Sequence, residues 1–234
     1  METKKKGLTG AQLKYIAFFS MLIDHVNKAL IYPYLDGGIM LKVSNLFDIV
    51  GRIAFPIFIY FLVEGFFKTR NRKKYLLNLL VFGVISEVPF DLFTTGQFFE
   101  PNWNNIMFTL AMVLAMIWGI DSLKVKMEKL PKALWYVVSI LIVAVVCLAA
   151  MNLGVDYEHH AILIGYFFYL FHDRMLIAIP LSYLSMIKEP WALLGFGMLL
   201  TYNGERGKQN KMFNYLFYPV HLLILGIIRM YLGI

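Results

Sequence analysis

The sequence predicts an all-α polytopic membrane protein, a single membrane-embedded domain over residues 1–234 formed by a bundle of about nine transmembrane helices. Composition is the first reason, because 59% of the 234 residues are apolar or aromatic and only 16% are charged. A soluble domain usually carries about 25% charged residues, so a soluble enzyme and a disordered chain are both excluded. The second reason is that long apolar runs alternate with short basic stretches.

Nine apolar segments are the predicted spans, and short polar stretches separate them. They cover approximately residues 11–32, 46–67, 75–93, 105–122, 134–153, 160–172, 175–187, 190–203 and 213–232. The sixth, seventh and eighth are shorter than the roughly 20 residues that a membrane-spanning helix needs. An alternative arrangement therefore merges two of these three segments, or lets them enter the membrane without crossing it.

The net charge of +7 is sorted among the loops between the spans. With the N-terminus in the cytoplasm, every inner loop is basic, as the positive-inside rule requires. The inner basic residues are Lys4, Lys5, Lys6, Lys68, Arg70, Arg72, Lys73, Lys74, Lys124, Lys126, Lys129, Lys132, Arg174, Arg206, Lys208 and Lys211. The outer loops hold Lys42, Lys188, Asp36, Asp91, Glu100, Asp156 and Glu158. Nine spans then place the C-terminus outside a plasma membrane, and the charge does not indicate a nucleic-acid partner.

Ionisable side chains within the first span are the leading functional candidates, since charge at membrane depth is costly. Asp24 and Lys28 stand four residues apart in the order that favours an ion pair. His25 has no partner on its own helix, and a neutral imidazole in an apolar bundle suits a general base. The alternative is a structural histidine that bonds to a neighbouring helix.

The second span contains Arg52, between Asp48 and Pro56. Pro56 has no N–H, so the Arg52 carbonyl loses its helical donor and irregular backbone is expected there. The helical rise places Arg52 and His25 about 9 and 10 Å below the outer ends of their spans. Arg52 is therefore a candidate site residue, although pairing with Asp48 and snorkelling outward is an alternative.

Further polar residues of the third, fourth and last spans are candidates for substrate contacts. They are Glu87, Asn104, Asn105, Tyr218 and His221. Tyr218 and His221 share a helical face, and helix packing is an equally good interpretation of His221. Glu64 can pair with Lys68 one turn later, so we interpret it as structural.

No metal site is expected. His159 and His160 are adjacent, so they point about 100° apart on a helix, and no third ligand has suitable spacing. We interpret them as an ordinary outer-loop cluster. Cys147 is the sole cysteine, which excludes a disulfide framework and a cysteine metal site. The sequence also lacks the motifs of serine hydrolases, NTPases and zinc proteases.

Short motifs follow one another along the chain in a recognisable order. They are Met21-Leu-Ile-Asp24-His25, Gly51-Arg52-Ile-Ala-Phe-Pro56, Asn105-Ile-Met-Phe-Thr109-Leu, Asp156-Tyr157, Tyr202-Asn203-Gly204-Glu-Arg206-Gly207 and Phe217-Tyr218-Pro219-Val-His221. This order resembles the TraX family of membrane proteins over nearly the whole chain. One departure is Glu158, where the family commonly has glycine after Asp-Tyr.

The resemblance implies an acetyltransferase. The founding member of the TraX family acetylates the N-terminus of the F pilin, and the family is similar to a wider superfamily of transmembrane acyltransferases. In those relatives an acyl-CoA enters from the cytoplasm and a histidine of the first helix serves the transfer, a role that the resemblance gives to His25. In the resulting hypothesis, Arg52, with Asn104 or Asn105, stabilises the oxyanion or orients the acceptor. Asp24 holds Lys28 or a neighbouring helix in place.

Acetyl-CoA is the expected donor, and no metal is required. Its phosphates are expected at the basic inner loops, on Lys68, Arg70, Arg72, Lys73, Lys74, Arg206 and Lys208. The acceptor is a hydroxyl or amine of an envelope glycan, a lipid-linked sugar or a peptide, and a homo-oligomer within the lipid is compatible with the sequence. Two other classes stay open, a transporter or flippase of a polar solute and a non-catalytic assembly factor. Transporters commonly contain paired repeats, which we do not find in this sequence.

Overall fold

The computed structural model describes residues 6–35 and 37–233, so Lys4, Lys5 and Asp36 lie outside the described residues. Its α-helices are α1 (Gly10–Val26), α2 (Gly38–Gly51), α3 (Ala54–Lys68), α4 (Arg72–Thr94), α5 (Ile106–Lys126), α6 (Lys132–Asn152), α7 (Glu158–Leu170), α8 (Met175–Leu184), α9 (Ala192–Leu199) and α10 (Lys211–Leu232). A π-helical turn, Asn27–Ile31, and a 3-10 turn, Tyr32–Tyr34, follow α1. Within the described residues, β-structure is limited to two isolated bridges, Leu8–Tyr202 and Asn104–Val155.

Five helical segments of the described chain are long and apolar enough to cross a membrane. They are Gly38–Lys68, Arg72–Thr94, Ile106–Lys126, Lys132–Asn152 and Lys211–Leu232. Helices α1, α7, α8 and α9 are shorter, with 17, 13, 10 and 8 residues. The prediction of an all-α polytopic membrane protein is therefore confirmed. The number of nine spans and the sidedness of the two termini stay predictions.

The second predicted span differs most from the observed helices. It begins at Gly38 rather than at residue 46, and it consists of two helices, α2 and α3. Polar residues near its start interrupt the apolar run from which the boundary was predicted. The break at Arg52 and Ile53 agrees with the effect expected of Pro56, which lacks the N–H that would bond the Arg52 carbonyl. At the break, the Ile53 N–H donates to the carbonyl of Val50, three residues earlier, at 3.2 Å.

The chain forms two compact units, and two of the four boundaries between them fall within α3 and α4. Unit 1 comprises Met1–Phe61, Val88–Phe99 and Met186–Ile234, and unit 2 comprises Leu62–Glu87 and Glu100–Ser185. The expectation of a single domain stays a prediction.

Helix α1 contacts both α2 and α10 within unit 1. The Ser20 hydroxyl donates to the Val50 carbonyl at 2.6 Å, which ties α1 to α2. The ring of Phe18 lies 5.7 and 4.8 Å from those of Phe213 and Phe217, measured between centroids. Aromatic contacts of this kind hold α10 against α1 and so bring the last motif of the chain beside the first.

The loop that contains Tyr202–Gly207 holds the beginning of α1. The N–H groups of Gly10 and Ala11 donate to the carbonyls of Glu205 and Arg206 at 2.8 and 2.9 Å. Those N–H groups belong to the first helical turn, which has no partners within the helix. Gly207 has φ +70°, and a Cβ there would lie 2.6 Å from the Thr9 hydroxyl oxygen. This motif therefore has a structural role that requires glycine at residue 207.

Unit 2 contains α5, α6, α7 and α8. Gly165 allows α7 to approach α5 closely, because a Cβ at residue 165 would lie 2.3 Å from the Val113 side chain. Two buried polar contacts connect α6 to its neighbours. The Trp135 indole N–H donates to the Ile120 carbonyl at 3.3 Å, and the Ser139 and Tyr166 hydroxyls lie 2.8 Å apart.

Candidate functional site

His25, near the end of α1, forms a pair with His221 of α10 in unit 1. Nδ1 of His25 lies 2.7 Å from Nε2 of His221. The two rings are nearly parallel, with an interplanar angle of 8°. His221 is buried and His25 is half-buried. The two histidines, 196 residues apart in the sequence, are thus one hydrogen-bonded group.

Aromatic residues surround this histidine pair. The ring of Phe93 lies 4.9 Å from that of His25, and the ring of Phe217 lies 4.8 Å from that of His221. Tyr218 packs edge-on against His221 at 5.9 Å. A π-helical turn begins two residues after His25, and such turns occur frequently at functional sites. The pair is therefore a polar group in mainly aromatic surroundings, where each hydrogen bond is stronger than it is in water.

Asp24 makes the ion pair that the sequence predicts. Its Oδ2 lies 2.7 Å from Nζ of Lys28. Its side chain also packs on Gly51 of α2, where a Cβ would lie 2.5 Å from the Asp24 Cβ. Glycine in the Gly51-Arg52 motif thus allows α2 to approach α1. These contacts agree with a holding role for Asp24, whereas its role in catalysis stays a prediction.

Arg52 has a partner that the sequence did not identify. Its Nε lies 3.0 Å from Oε2 of Glu189, which precedes α9. Asp48, the partner expected in the alternative interpretation, accepts a hydrogen bond from the Asn27 amide at 2.9 Å. A guanidinium that pairs with a carboxylate has fewer N–H groups to offer to an oxyanion. The oxyanion role of Arg52 stays a prediction.

The polar residues predicted at the α4–α5 region make hydrogen bonds within unit 2. Asn105 is fully buried and caps α5, since its side-chain oxygen accepts from the Met107 N–H at 3.0 Å. Its amide donates to the Gly83 carbonyl at 2.9 Å and also to the Glu87 carboxylate. The Asn104 amide donates to the Leu153 carbonyl at 2.6 Å. These contacts give the two asparagines structural roles, and their contact with a substrate stays a prediction.

Two of the predicted phosphate-binding residues take part in ion pairs of unit 2. Lys68 pairs with Glu64 at 2.6 Å, as the sequence predicts. Arg72 pairs with Asp121 at 2.7 Å and lies over the Phe66 ring. The other residues of the set are exposed: Arg70, Lys73, Lys74, Arg206 and Lys208. Contact of any of these residues with a donor phosphate stays a prediction.

His172 lies in the turn after α7 and is not among the predicted site residues. Its Nε2 lies 2.7 Å from the buried Glu64 carboxylate. This hydrogen bond raises the pKa of His172 above its ordinary value of 6.5. The Glu64–His172–Lys68 cluster couples α3 to the turn between α7 and α8.

An open groove of about 440 Å³ lies in unit 2, on loops predicted to face outward. It is lined by Asn102, Trp103, Gly154, Val155, Asp156, Tyr157, Glu158 and His160. The φ values of Tyr157 and Glu158 are 60° and 39°, a region that favours glycine. The glycine that the family resemblance leads one to expect at residue 158 would adopt this φ without the strain of a side chain. Sequence reasoning interpreted His160 and its neighbours as an ordinary loop cluster and missed the groove, because Trp103 comes from another loop.

Comparison with known proteins identifies the family. The family described as TraX protein matches residues 9–229 of the chain. The chain belongs to the TraX family. This TraX family protein is also 30% identical over 243 residues to the probable fimbrial assembly protein FimC, serogroup H1, of Dichelobacter nodosus, with 94% of this chain and 96% of the relative covered. No solved structure matches the chain significantly. The family resemblance predicted from the motifs is confirmed.

Three of the TraX motifs meet in unit 1. His25 comes from the first, Gly51 from the second and His221 from the last, and each lies against α1 or forms part of it. A fourth, Tyr202–Gly207, bonds the beginning of the same helix. Helix α1 is therefore the element around which these four motifs are arranged, whereas the motifs that begin at Asn105 and Asp156 lie in unit 2.

Proposed function

We propose that this TraX family member is a plasma-membrane acetyltransferase, which transfers an acetyl group from cytoplasmic acetyl-CoA to a hydroxyl or amine of a pilus component or another envelope acceptor. The observation that carries the proposal is the His25–His221 pair, in which a histidine of α1 is a candidate base and a second imidazole is hydrogen-bonded to its Nδ1. The name of the relative, a probable fimbrial assembly protein, supports a role in envelope assembly.

The proposed step uses His25 as a general base. Its Nε2 takes a proton from the acceptor O–H or N–H while the acceptor lone pair forms a bond to the thioester carbonyl carbon. The C–S bond then breaks and its electron pair leaves on the CoA sulfur. That thiolate takes the proton from the His25 imidazolium, which restores the neutral base. Atoms and charge balance without a metal or a further reactant.

The donor phosphates bind, in this proposal, at the loop that holds the beginning of α1. Arg206 and Lys208 are exposed there, and the Arg206 carbonyl bonds the Ala11 N–H. Ala11 and His25 are separated by about 21 Å along the helix at 1.5 Å per residue. A donor with a long pantetheine arm suits this separation, because its charged end stays at the aqueous face while its thioester reaches the histidine. Phosphate contacts to Arg206 and Lys208 are charge-assisted.

The experiment measures acetyl transfer and acetyl-CoA hydrolysis by the purified protein and its His25→Ala variant. We expect the variant to lose activity by about 100-fold or more, which is the usual contribution of a general base. His159→Ala is the matched control, since it removes an imidazole from the predicted outer loop and is expected to keep the activity. A folded His25→Ala variant with undiminished activity would overturn the assignment.

A non-catalytic assembly factor is the second candidate, favoured by the name of the relative. Calorimetry with acetyl-CoA distinguishes the two. Binding that weakens as salt rises supports the enzyme, because the phosphates are expected to contact Arg206 and Lys208. Absence of binding by the folded protein supports the assembly factor.

A further inference from the structure

His221 has hydrogen bonds on both of its ring nitrogens, and together they fix where its proton lies. Nδ1 is 2.6 Å from the Phe217 carbonyl oxygen, and Nε2 is 2.7 Å from Nδ1 of His25. A carbonyl oxygen only accepts, so Nδ1 of His221 carries a hydrogen and donates it. In the neutral ring, Nε2 of His221 is then left as an acceptor.

That acceptor determines the tautomer of His25. A short contact to an accepting nitrogen requires a hydrogen on Nδ1 of His25, so the lone pair of the neutral His25 ring lies on Nε2. We propose that His221 is a positioning residue, which holds His25 in the tautomer whose Nε2 takes the proton of the acceptor. This inference rests on the proposed function and adds to it the residue that makes His25 competent.

The packing around the pair keeps the two rings in this arrangement. His221 is only 6% exposed, and Phe217, four residues earlier on α10, supplies both the accepting carbonyl and a ring against His221. Phe93 lies against His25. Each histidine ring is thus in contact with a phenylalanine ring. Breaking either hydrogen bond would leave a polar atom of the pair without its partner, which is unfavourable in these surroundings.

The same chain of bonds serves the charged state of His25. When Nε2 takes the proton, His25 becomes an imidazolium that still donates from Nδ1 to His221. His221 keeps its own proton on Nδ1 and presents its electron-rich Nε2 to the charge. It therefore stabilises the imidazolium as a neutral dipole, a role that a carboxylate has in the serine protease triad.

The test compares His221→Gln with His221→Leu in the purified full-length protein. The oxygen of the glutamine amide can take the place of Nε2 and accept from His25, whereas leucine fills similar volume without an acceptor. For His221→Leu we expect kcat to fall about 100-fold, because His25 is no longer held in the tautomer that accepts a proton on Nε2. The KM for acetyl-CoA should be unchanged. For His221→Gln we expect kcat within about 10-fold of the wild type, since one neutral hydrogen bond replaces another. Thermal unfolding of both variants checks that they are folded.

A spectroscopic measurement reads the tautomer directly. In the wild-type protein labelled with ¹⁵N-histidine, the His25 signals, identified by their loss in His25→Gln, should show a protonated Nδ1 and an unprotonated Nε2. A protonated Nε2 in neutral His25 would overturn the inference, and so would equal kcat for the leucine and glutamine variants. Because the tautomer is measured without turnover, failure of the proposed enzyme activity is distinguishable from failure of this inference.

Discussion

Polar side chains in an apolar helical chain need partners, because a buried donor or acceptor left without one costs free energy. Asn105 illustrates the point, since one fully buried residue caps α5 and bonds α4 through Gly83 and Glu87. The same residue looked like a candidate for substrate contact in the sequence. Its contact with a substrate stays a prediction, and the partners that give it a structural role lie in another helix.

Asn105→Ala should therefore lower the free energy of unfolding by more than the removal of an exposed helix cap does. We expect about 2–4 kcal/mol, because the cap and the buried bond to Gly83 are lost together. Asn71→Ala is the matched control: exposed Asn71 accepts from the Lys74 N–H at 2.8 Å and makes a comparable cap before α4. Its loss should cost about 1 kcal/mol. Thermal unfolding in detergent measures both, and equal losses would contradict the structural role of Asn105.

Close helix packing at glycine is the main feature at the level of elements. Helix α9 is only eight residues long, yet it reaches the break between α2 and α3 in unit 1. A Cβ on Gly195 would lie 2.5 Å from the Ile53 carbonyl oxygen, whereas nothing lies within 4 Å of a Cβ on Gly197. The two glycines belong to the same short helix. Substituting each one therefore distinguishes the effect of packing from the effect of helix propensity.

Gly195→Ala and Gly197→Ala should change stability in opposite directions. Alanine at residue 195 meets backbone that cannot move aside easily, so we expect a loss of about 1–3 kcal/mol. Alanine at residue 197 has open space and favours the helix by up to about 1 kcal/mol. Unfolding temperatures of the two variants provide the measurement. Stabilisation by Gly195→Ala would show that α9 does not pack on Ile53.

The whole molecule is characterised by the distribution of its charge. The basic excess lies in alternate loops, which predicts a cytoplasmic N-terminus. Ion pairs such as Lys68–Glu64 and Arg72–Asp121 show that some of these residues also balance acids within unit 2. Such pairs do not remove the topological signal, because the positive-inside rule counts Lys and Arg rather than net charge.

Cysteine labelling tests the predicted topology. In a Cys147→Ser background, Gln97→Cys should react with an impermeant maleimide in right-side-out membrane vesicles, because the loop before α5 is predicted to face outward. Glu128→Cys, between α5 and α6, should react only after the vesicles are opened. Both residues are exposed at the protein surface, so a difference in labelling reports the side of the membrane and not burial within the protein. The reverse labelling pattern would contradict the orientation.

Apolar periodicity and proline chemistry act along the chain, so the sequence by itself determined the helical membrane class, the irregular backbone before Pro56 and the Asp24–Lys28 pair. The start of α2 was not predictable in this way, because Lys42 and Ser44 interrupt its apolar pattern. Ser44 is nevertheless buried, and its carbonyl accepts from the Asn27 amide at 3.1 Å. The local sequence pattern indicates that burying a polar residue in the membrane is unfavourable. It does not identify the partner whose hydrogen bond offsets that free-energy cost.

The site shows the same division. The sequence identified His25 and His221 individually, because an ionisable group in an apolar run is conspicuous wherever it occurs. Only the tertiary structure shows that they form a hydrogen bond, because α10 packs on α1. It also shows that Arg52 pairs with Glu189 and that Asn105 bonds Glu87. A hydrogen bond between residues far apart in the chain requires their polar atoms to lie within a few ångströms of each other. Helix packing determines that distance, and the spacing of residues along a single helix does not.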